Sequence, residues 1–159
     1  MNDVLKILER DSRISVEKLA KMTGKPEKDI REFISAAEKS GVIRRYKTII
    51  DWEKAGVERV FAFIDVKVSP ARGIGFDDVA ERIYRFPEVH SVYLVSGAYD
   101  LRVVVEGDNM KQVAFFVAEK LSTIDRVQST TTHFLLKKYK EDTEIFEEPG
   151  EDHRLAVSP

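Results

Sequence analysis

The chain has 159 residues, 43% apolar and 34% charged, with a formal net charge of −2 at neutral pH, a balance that describes an ordered protein and excludes a disordered one. It contains no cysteine, which excludes disulfides, thiolate zinc sites and cysteine nucleophiles. No apolar run approaches the roughly 18 residues of a membrane-spanning helix, and the charged start MNDVLKILERD lacks a signal peptide's apolar core, so a cytoplasmic location with no membrane partner is expected.

The charge is unevenly spread. Residues 1–56 carry 13 Lys and Arg against 10 Asp and Glu, residues 57–140 carry 12 against 11, and residues 141–159 carry 1 against 7. The acidity is in the tail, and the N-terminal part is mildly basic, which is compatible with nucleic acid.

In chain order, Val4, Leu5 and Leu8, with Ile7 beside them, have the spacing of an amphipathic helix over residues 1–10. Asp11-Ser12-Arg13 breaks it. Ser15 is placed to cap a second short helix that buries Val16, Leu19 and Ala20. Thr23-Gly24-Lys25 turns the chain, Pro26 suits the first turn of a third helix, and that helix buries Ile30, Phe33, Ile34 and Ala37 before Gly41 ends it. Two short helices joined by a Gly-containing turn, with a third in front, predict a helix-turn-helix. The outward face of the third helix carries Lys28, Arg31, Ser35 and Lys39, with Lys25 at its start. In this motif such residues read base edges, and Arg31 is the best candidate for a bidentate guanine contact. Glu27, Asp29, Glu32 and Glu38 share the helix, so by charge alone it is an ordinary solvated surface.

Residues 41–56, GVIRRYKTIIDWEKAG, shift that balance. Val42, Tyr46 and Ile50 are expected as half-buried strand residues around Arg44, Arg45 and Lys47, which would contact phosphates from a basic β-hairpin, the wing of a winged helix. These residues, with Asp3, Ile7-Leu8 and DSRISVEKLA at residues 11–20, resemble the DNA-binding half of the Lrp/AsnC family of leucine-responsive, feast/famine transcriptional regulators. The family commonly has Ser or Thr near the start of its recognition helix and an Arg-Ile pair within it. Here Lys25-Pro26-Glu27 and Phe33-Ile34 stand in those places.

From residue 57 the period changes to two. Val60, Ala62, Ile64, Val66 and Val68 alternate with Phe61, Phe63, Asp65 and Lys67 as a strand. Residues 70–75 read as a loop, and Phe76, Val79, Ala80 and Ile83 as the stripe of a helix that ends before Pro87. Residues 89–95 and 101–105 read as strands separated by SGAYD. Met110, Val113, Ala114, Val117 and Leu121 form a second helical stripe, and residues 126–138 a long last strand. The order β-α-β-β-α-β predicts an α+β, ferredoxin-like unit with both helices on one face of an antiparallel sheet. Phe61, Phe63 and part of the last strand would lie on the bare face, which a second copy is expected to cover.

This half resembles the same family's effector-binding and assembly domain, called RAM, through PEVHSVYLVSGAYDL at residues 87–101 and Ser129-Thr130-Thr131-Thr132. The expected domains are therefore a winged helix-turn-helix over residues 1–56, a RAM unit over 57–140, and an acidic tail over 141–159. The resemblance implies a homodimer growing to a tetramer or octamer, operator DNA as partner, and a small effector, an amino acid, held near the loop. Backbone N–H groups about Gly97 would receive the carboxylate, Asp100 the ammonium, and Ser96, Ala98, Tyr99, Thr130 and Thr132 would complete the site. By residue type alone, SGAYD is a good hairpin turn and threonine a good strand former.

No catalytic residue, cofactor or metal is expected. His90, His133 and His153 are far apart in sequence, and no phosphate loop or nucleophile elbow is present. The alternatives are a haem-pathway decarboxylase on the same fold, with His90 or His133 at a tetrapyrrole site, and an amino-acid binder that does not regulate. The apolar residues Ile145-Phe146 and Leu155-Ala156-Val157 suggest that the tail packs on a neighbouring subunit.

Overall fold

The computed structural model describes residues 1–69 and 75–146. The chain divides into two compact units between Ile50 and Asp51. The expected loop over residues 70–74 and the tail beyond residue 146 lie outside the described residues.

In the first unit, α1 is Asn2–Arg10, α2 is Val16–Thr23 and α3 is Glu27–Lys39. Ser15 caps α2, its hydroxyl accepting from the Lys18 N–H at 3.2 Å, and Gly24 closes the helix with φ +66, a conformation cheap only for glycine. Pro26 stands at the N-cap of α3 with φ −59, one position before the expected first turn. The core is Val4, Leu8, Leu19 and Ile30, with Ile7, Ile14, Val16, Ala20, Phe33, Ile34 and Ile43 against it. Burying each large aliphatic side chain contributes about 1.5–3 kcal/mol, and this stripe is what holds three short helices together.

The expected wing strand is corrected. Residues 44–50 form no strand, and among the described residues no backbone hydrogen bond involves them. Gly41 takes φ +74 and the Ile43 N–H returns to the Ala37 carbonyl at 3.0 Å. That reversal turns Ile43 inward, so Val42, Tyr46 and Ile50, expected inside, are 62%, 47% and 42% exposed.

The link after Ile50 belongs to the second unit. The Asp51 carboxylate accepts from the Lys54 N–H at 3.1 Å, and the Trp52 ring lies under the Arg59 guanidinium at 4.0 Å, while Arg59 also pairs with Glu106 on the sheet. The elements are β1 Val60–Val68, α4 Phe76–Tyr84, β2 Val89–Leu94, β3 Leu101–Gly107, α5 Met110–Phe115 and β4 Val127–Phe134, followed by a small hairpin of β5 Lys140–Glu141 and β6 Glu144–Ile145. The four long strands form an antiparallel sheet in the order β2-β3-β1-β4. Its inner face, Ala62, Ile64, Val66, Val68, Leu101, Val103 and Val105, packs on Val79 and Ile83 of α4 and on Val113, Phe116 and Leu121.

Two further expectations are corrected here. The last strand stops at Phe134 rather than Lys138. After α5 the chain widens into a π-helical turn, Phe116–Leu121, whose five-residue step brings Phe116 and Leu121 to the core. A uniform 3.6-residue period puts Met110 and Ala114 inside, whereas both are exposed. Among the described residues no helix is long and apolar enough to cross a membrane.

Candidate functional site

Of the residues predicted to face DNA, Lys28, Arg31, Ser35 and Lys39 lie on α3 and Lys25 precedes it. Lys28, Arg31 and Lys39 are exposed, and Lys25 and Ser35 are half-buried. The helix carries three cations and four carboxylates, and two of the cations are paired along it. Arg31 Nη2 is 3.2 Å from Glu27 Oε2 and Lys28 Nζ is 3.9 Å from Glu32 Oε1, both pairs four residues apart and open to water, where such a pair contributes well under about 1 kcal/mol. Arg44, Arg45 and Lys47 are exposed and, among the described residues, have no carboxylate partner. Tyr46, between them, donates its hydroxyl proton to Glu38 on α3 at 2.8 Å, and partial burial, then the Glu38 carboxylate, push its pKa up. That bond ties the basic stretch to the end of α3, and no sequence pattern announces it because it joins residues eight apart across a helix end.

The loop between β2 and β3 is the second candidate surface. Ser96, Gly97 and Ala98 are exposed while Tyr99 and Asp100 are half-buried. Gly97 has φ +136 with nothing within 4 Å of where a Cβ would stand, so its backbone is open to an approaching ligand. The loop is clamped at its base: the Val95 N–H donates to the Asp100 carbonyl at 2.9 Å and the Asp100 N–H to the Val66 carbonyl at 3.1 Å.

Asp100 is already engaged. Its carboxylate accepts from the Val68 N–H at 2.8 Å and from Lys67 Nζ at 3.3 Å. The Val68 amide first, then Lys67, hold its carboxyl below the usual range against the opposing effect of burial. It is a bracket between β1 and the loop, with one hydrogen bond already made by each oxygen.

The threonines divide by strand alternation. Thr131 is opposite Asp65, whereas Thr130 and Thr132 are opposite Val66 and Ile64, which point into the core. Thr131, not its neighbours, therefore shares the open face, where its hydroxyl meets the Tyr99 hydroxyl at 2.8 Å. Thr130 instead approaches Ser122 on the helix side at 3.5 Å.

At the centre of the open face is a cluster that no sequence motif singles out. Asp65, 6% exposed, accepts from Arg102 Nε at 2.8 Å and Nη2 at 3.1 Å, and His133 Nε2 lies 3.5 Å away. The bidentate guanidinium holds the Asp65 carboxyl below its ordinary value, outweighing burial. Beside it Phe63 and Tyr93 are exposed, and Phe61 meets His90 edge to face at 6.1 Å and Lys138 Nζ at 5.4 Å. Each histidine considered for a tetrapyrrole thus has a neighbour of its own, Phe61 for His90 and Asp65 for His133. A shallow groove of about 370 Å³ along α5, lined by Glu88, Gln112, Phe115, Phe116 and Lys120 among others, takes in no residue of the loop. Among the described residues no group of acids and histidines is arranged to hold a metal.

Both halves match known families. Residues 61–145 match the Lrp/AsnC ligand binding domain, and residues 2–44 match a winged helix-turn-helix DNA-binding family. The chain belongs to the Lrp/AsnC family. It is 56% identical over 158 residues to the HTH-type transcriptional regulator YugG of Bacillus subtilis, covering 99% of this chain and 95% of that one. It is 34% identical over 142 residues to the HTH-type regulator FL11 of Pyrococcus horikoshii, covering 89% and 91%. A feast or famine regulatory protein of Mycobacterium tuberculosis, solved in complex with L-methionine, shares the fold with a TM-score of 0.73 at 21% identity, over 89% and 92% of the two chains. The protein is a DNA-binding transcriptional regulator of the Lrp/AsnC type, joining a helix-turn-helix to a ferredoxin-like α+β domain.

Proposed function

We propose that this Lrp/AsnC regulator binds operator DNA as a cytoplasmic homodimer, or a tetramer or octamer built from it, and that an amino acid bound at the 95–100 loop alters that binding. It carries out no chemistry of its own. The observation that carries the effector reading is the exposed, unobstructed backbone at Gly97, two residues before Tyr99, whose hydroxyl pairs with that of Thr131. An amino acid offers a carboxylate for open N–H groups and an ammonium for hydroxyl oxygens. The methionine complex of the mycobacterial relative supports the ligand class. In this reading Ser96, Gly97, Ala98, Tyr99 and Thr131 face the effector, and Asp100 shapes the loop from behind.

The open sheet face favours a dimer, because Phe63 and Tyr93 are exposed there around a half-covered ion pair and a second copy would remove that apolar surface from water. Two copies present two α3 helices to half-sites about 34 Å apart. Arg31 and Lys28, with Lys25, Ser35 and Lys39, face bases and adjoining sugar-phosphate, and Arg44, Arg45 and Lys47 grip phosphates. The test is binding of the purified protein to duplex DNA from upstream of its own gene, against unrelated DNA, across a salt series and with each amino acid added in turn. Preference for its own upstream DNA, altered by one amino acid, is expected. Equal, ligand-insensitive binding to both DNAs would overturn the proposal.

A further inference from the structure

We propose that Glu27 and Glu32 are specificity-determining residues of the DNA-reading helix, acting by penalising contact with phosphate. The proposal rests on the placement of α3 in the major groove. Lys28, Glu32, Ser35 and Lys39 are spaced four, three and four apart, one face of a helix whose opposite side buries Ile30 and Ala37. Glu32 therefore stands in the middle of the face that would enter the groove, and Glu27 at its N-terminal edge. Each acid reaches the cation four residues away, Glu27 to Arg31 at 3.2 Å and Glu32 to Lys28 at 3.9 Å.

A helix shaped for affinity alone would carry no acid there, since every phosphate nearby repels it. Meanwhile Arg44, Arg45 and Lys47 stand exposed and, among the described residues, form no ion pair with a carboxylate. The division follows: residues 44–47 supply phosphate attraction that is blind to sequence, and α3 contributes almost none. If Arg31 leaves Glu27 for a phosphate, it exchanges one anion for another and strands Glu27 against the backbone. At a guanine edge it gains two directed hydrogen bonds, and the released carboxylate can accept from the amino group of a cytosine. The acids thus weaken non-operator binding more than operator binding.

The test compares the full-length wild type with Glu27→Gln, Glu32→Gln and the double variant, on the site the wild type selects from a random duplex pool and on unrelated duplex. As a charge-matched control, Glu81→Gln removes the same kind of acid from α4, where it pairs with Arg85 just past the helix end. Each α3 variant is expected to bind unrelated DNA about threefold tighter, the double variant about tenfold, with a steeper salt slope, while affinity for the selected site changes less than about twofold. The control is expected to match wild type. Equal gains on both DNAs, no gain on either, or equal gains in the control would each overturn the proposal while leaving the DNA-reading role intact. A wild type that selects no sequence would overturn both.

Discussion

Removing the Asp100 carboxylate separates a structural role from a ligand-binding one. The Val68 N–H that it accepts, at 2.8 Å, belongs to a residue only 2% exposed and lies at the point where the β1–β4 register shifts. Burial of Val68 keeps water from replacing the acceptor. A hydrogen bond to a charged group contributes about 1.5–3 kcal/mol, and an orphaned buried N–H costs a similar amount. Lys67, 39% exposed at its side chain, adds less than about 1 kcal/mol. Asp100→Ala is therefore expected to destabilise the second unit by about 2–3 kcal/mol, a fall in Tm of roughly 8–20 °C, with Asp100→Asn intermediate and Lys67→Ala nearly neutral. Trp52, the chain's one tryptophan, lies in that unit, so urea titration followed by its fluorescence reads the change. Because the Asp100 carboxyl is held low in the fold, its contribution is present above the unfolded value of about 4 and is lost as pH falls through the lower folded value. The gap between Asp100→Ala and wild type should therefore close in acid. Two results would refute the reasoning: Asp100→Ala costing no more than Lys67→Ala, or Asp100→Asn keeping wild-type stability while losing amino-acid binding.

Ile30→Ala, at a position with no exposure, should cost the first unit about 2–5 kcal/mol; far-UV circular dichroism would show early loss of helix while the Trp52 transition stays put. Phe63→Lys places a charge on the open sheet face, and sedimentation should show the proposed dimer reduced to monomer at concentrations where wild type is associated; an unchanged mass would refute pairing through this face. If Arg44 neutralises one phosphate, Arg44→Ala should weaken binding to operator and unrelated DNA alike and lower the salt slope by about 0.9. An effect confined to the operator would make Arg44 a base reader.

What was legible in the sequence was whatever a period of 3.6 or 2 could express. The stripe Val4, Leu8, Leu19, Ile30 and the alternation Ala62, Ile64, Val66, Val68 emerge as the two buried cores, because a short helix or half-buried strand has one apolar side and must hide it. The errors lie where that period slips. Gly41 reverses the chain and moves Ile43 inward, which puts Val42, Tyr46 and Ile50 out of phase. The π-helical turn after Phe115 does the same to Met110 and Ala114. Gly41 is legible as a helix end, but the Ile43–Ala37 bond that sets the phase beyond it and the widened turn after Phe115 carry no composition signal of their own.

The candidate effector site shows the same limit more sharply. Ser129-Thr130-Thr131-Thr132 reads as one run of hydroxyls, yet a strand sends alternate residues to opposite faces, so no more than half of them can serve one site. Which half is decided by register against β1, where Thr131 is opposite Asp65, a pairing between distant residues that no local pattern encodes. Asp100 follows the same logic. As a lone acid after a glycine turn it looks like a ligand contact, and only the fold brings the Val68 amide to it. With that amide in place, the carboxylate has a partner whether or not an effector is present. In the proposed effector reading, discrimination among amino acids would then rest on the open backbone at Gly97 and on the lone pairs that the paired Tyr99 and Thr131 hydroxyls keep beyond the bond between them.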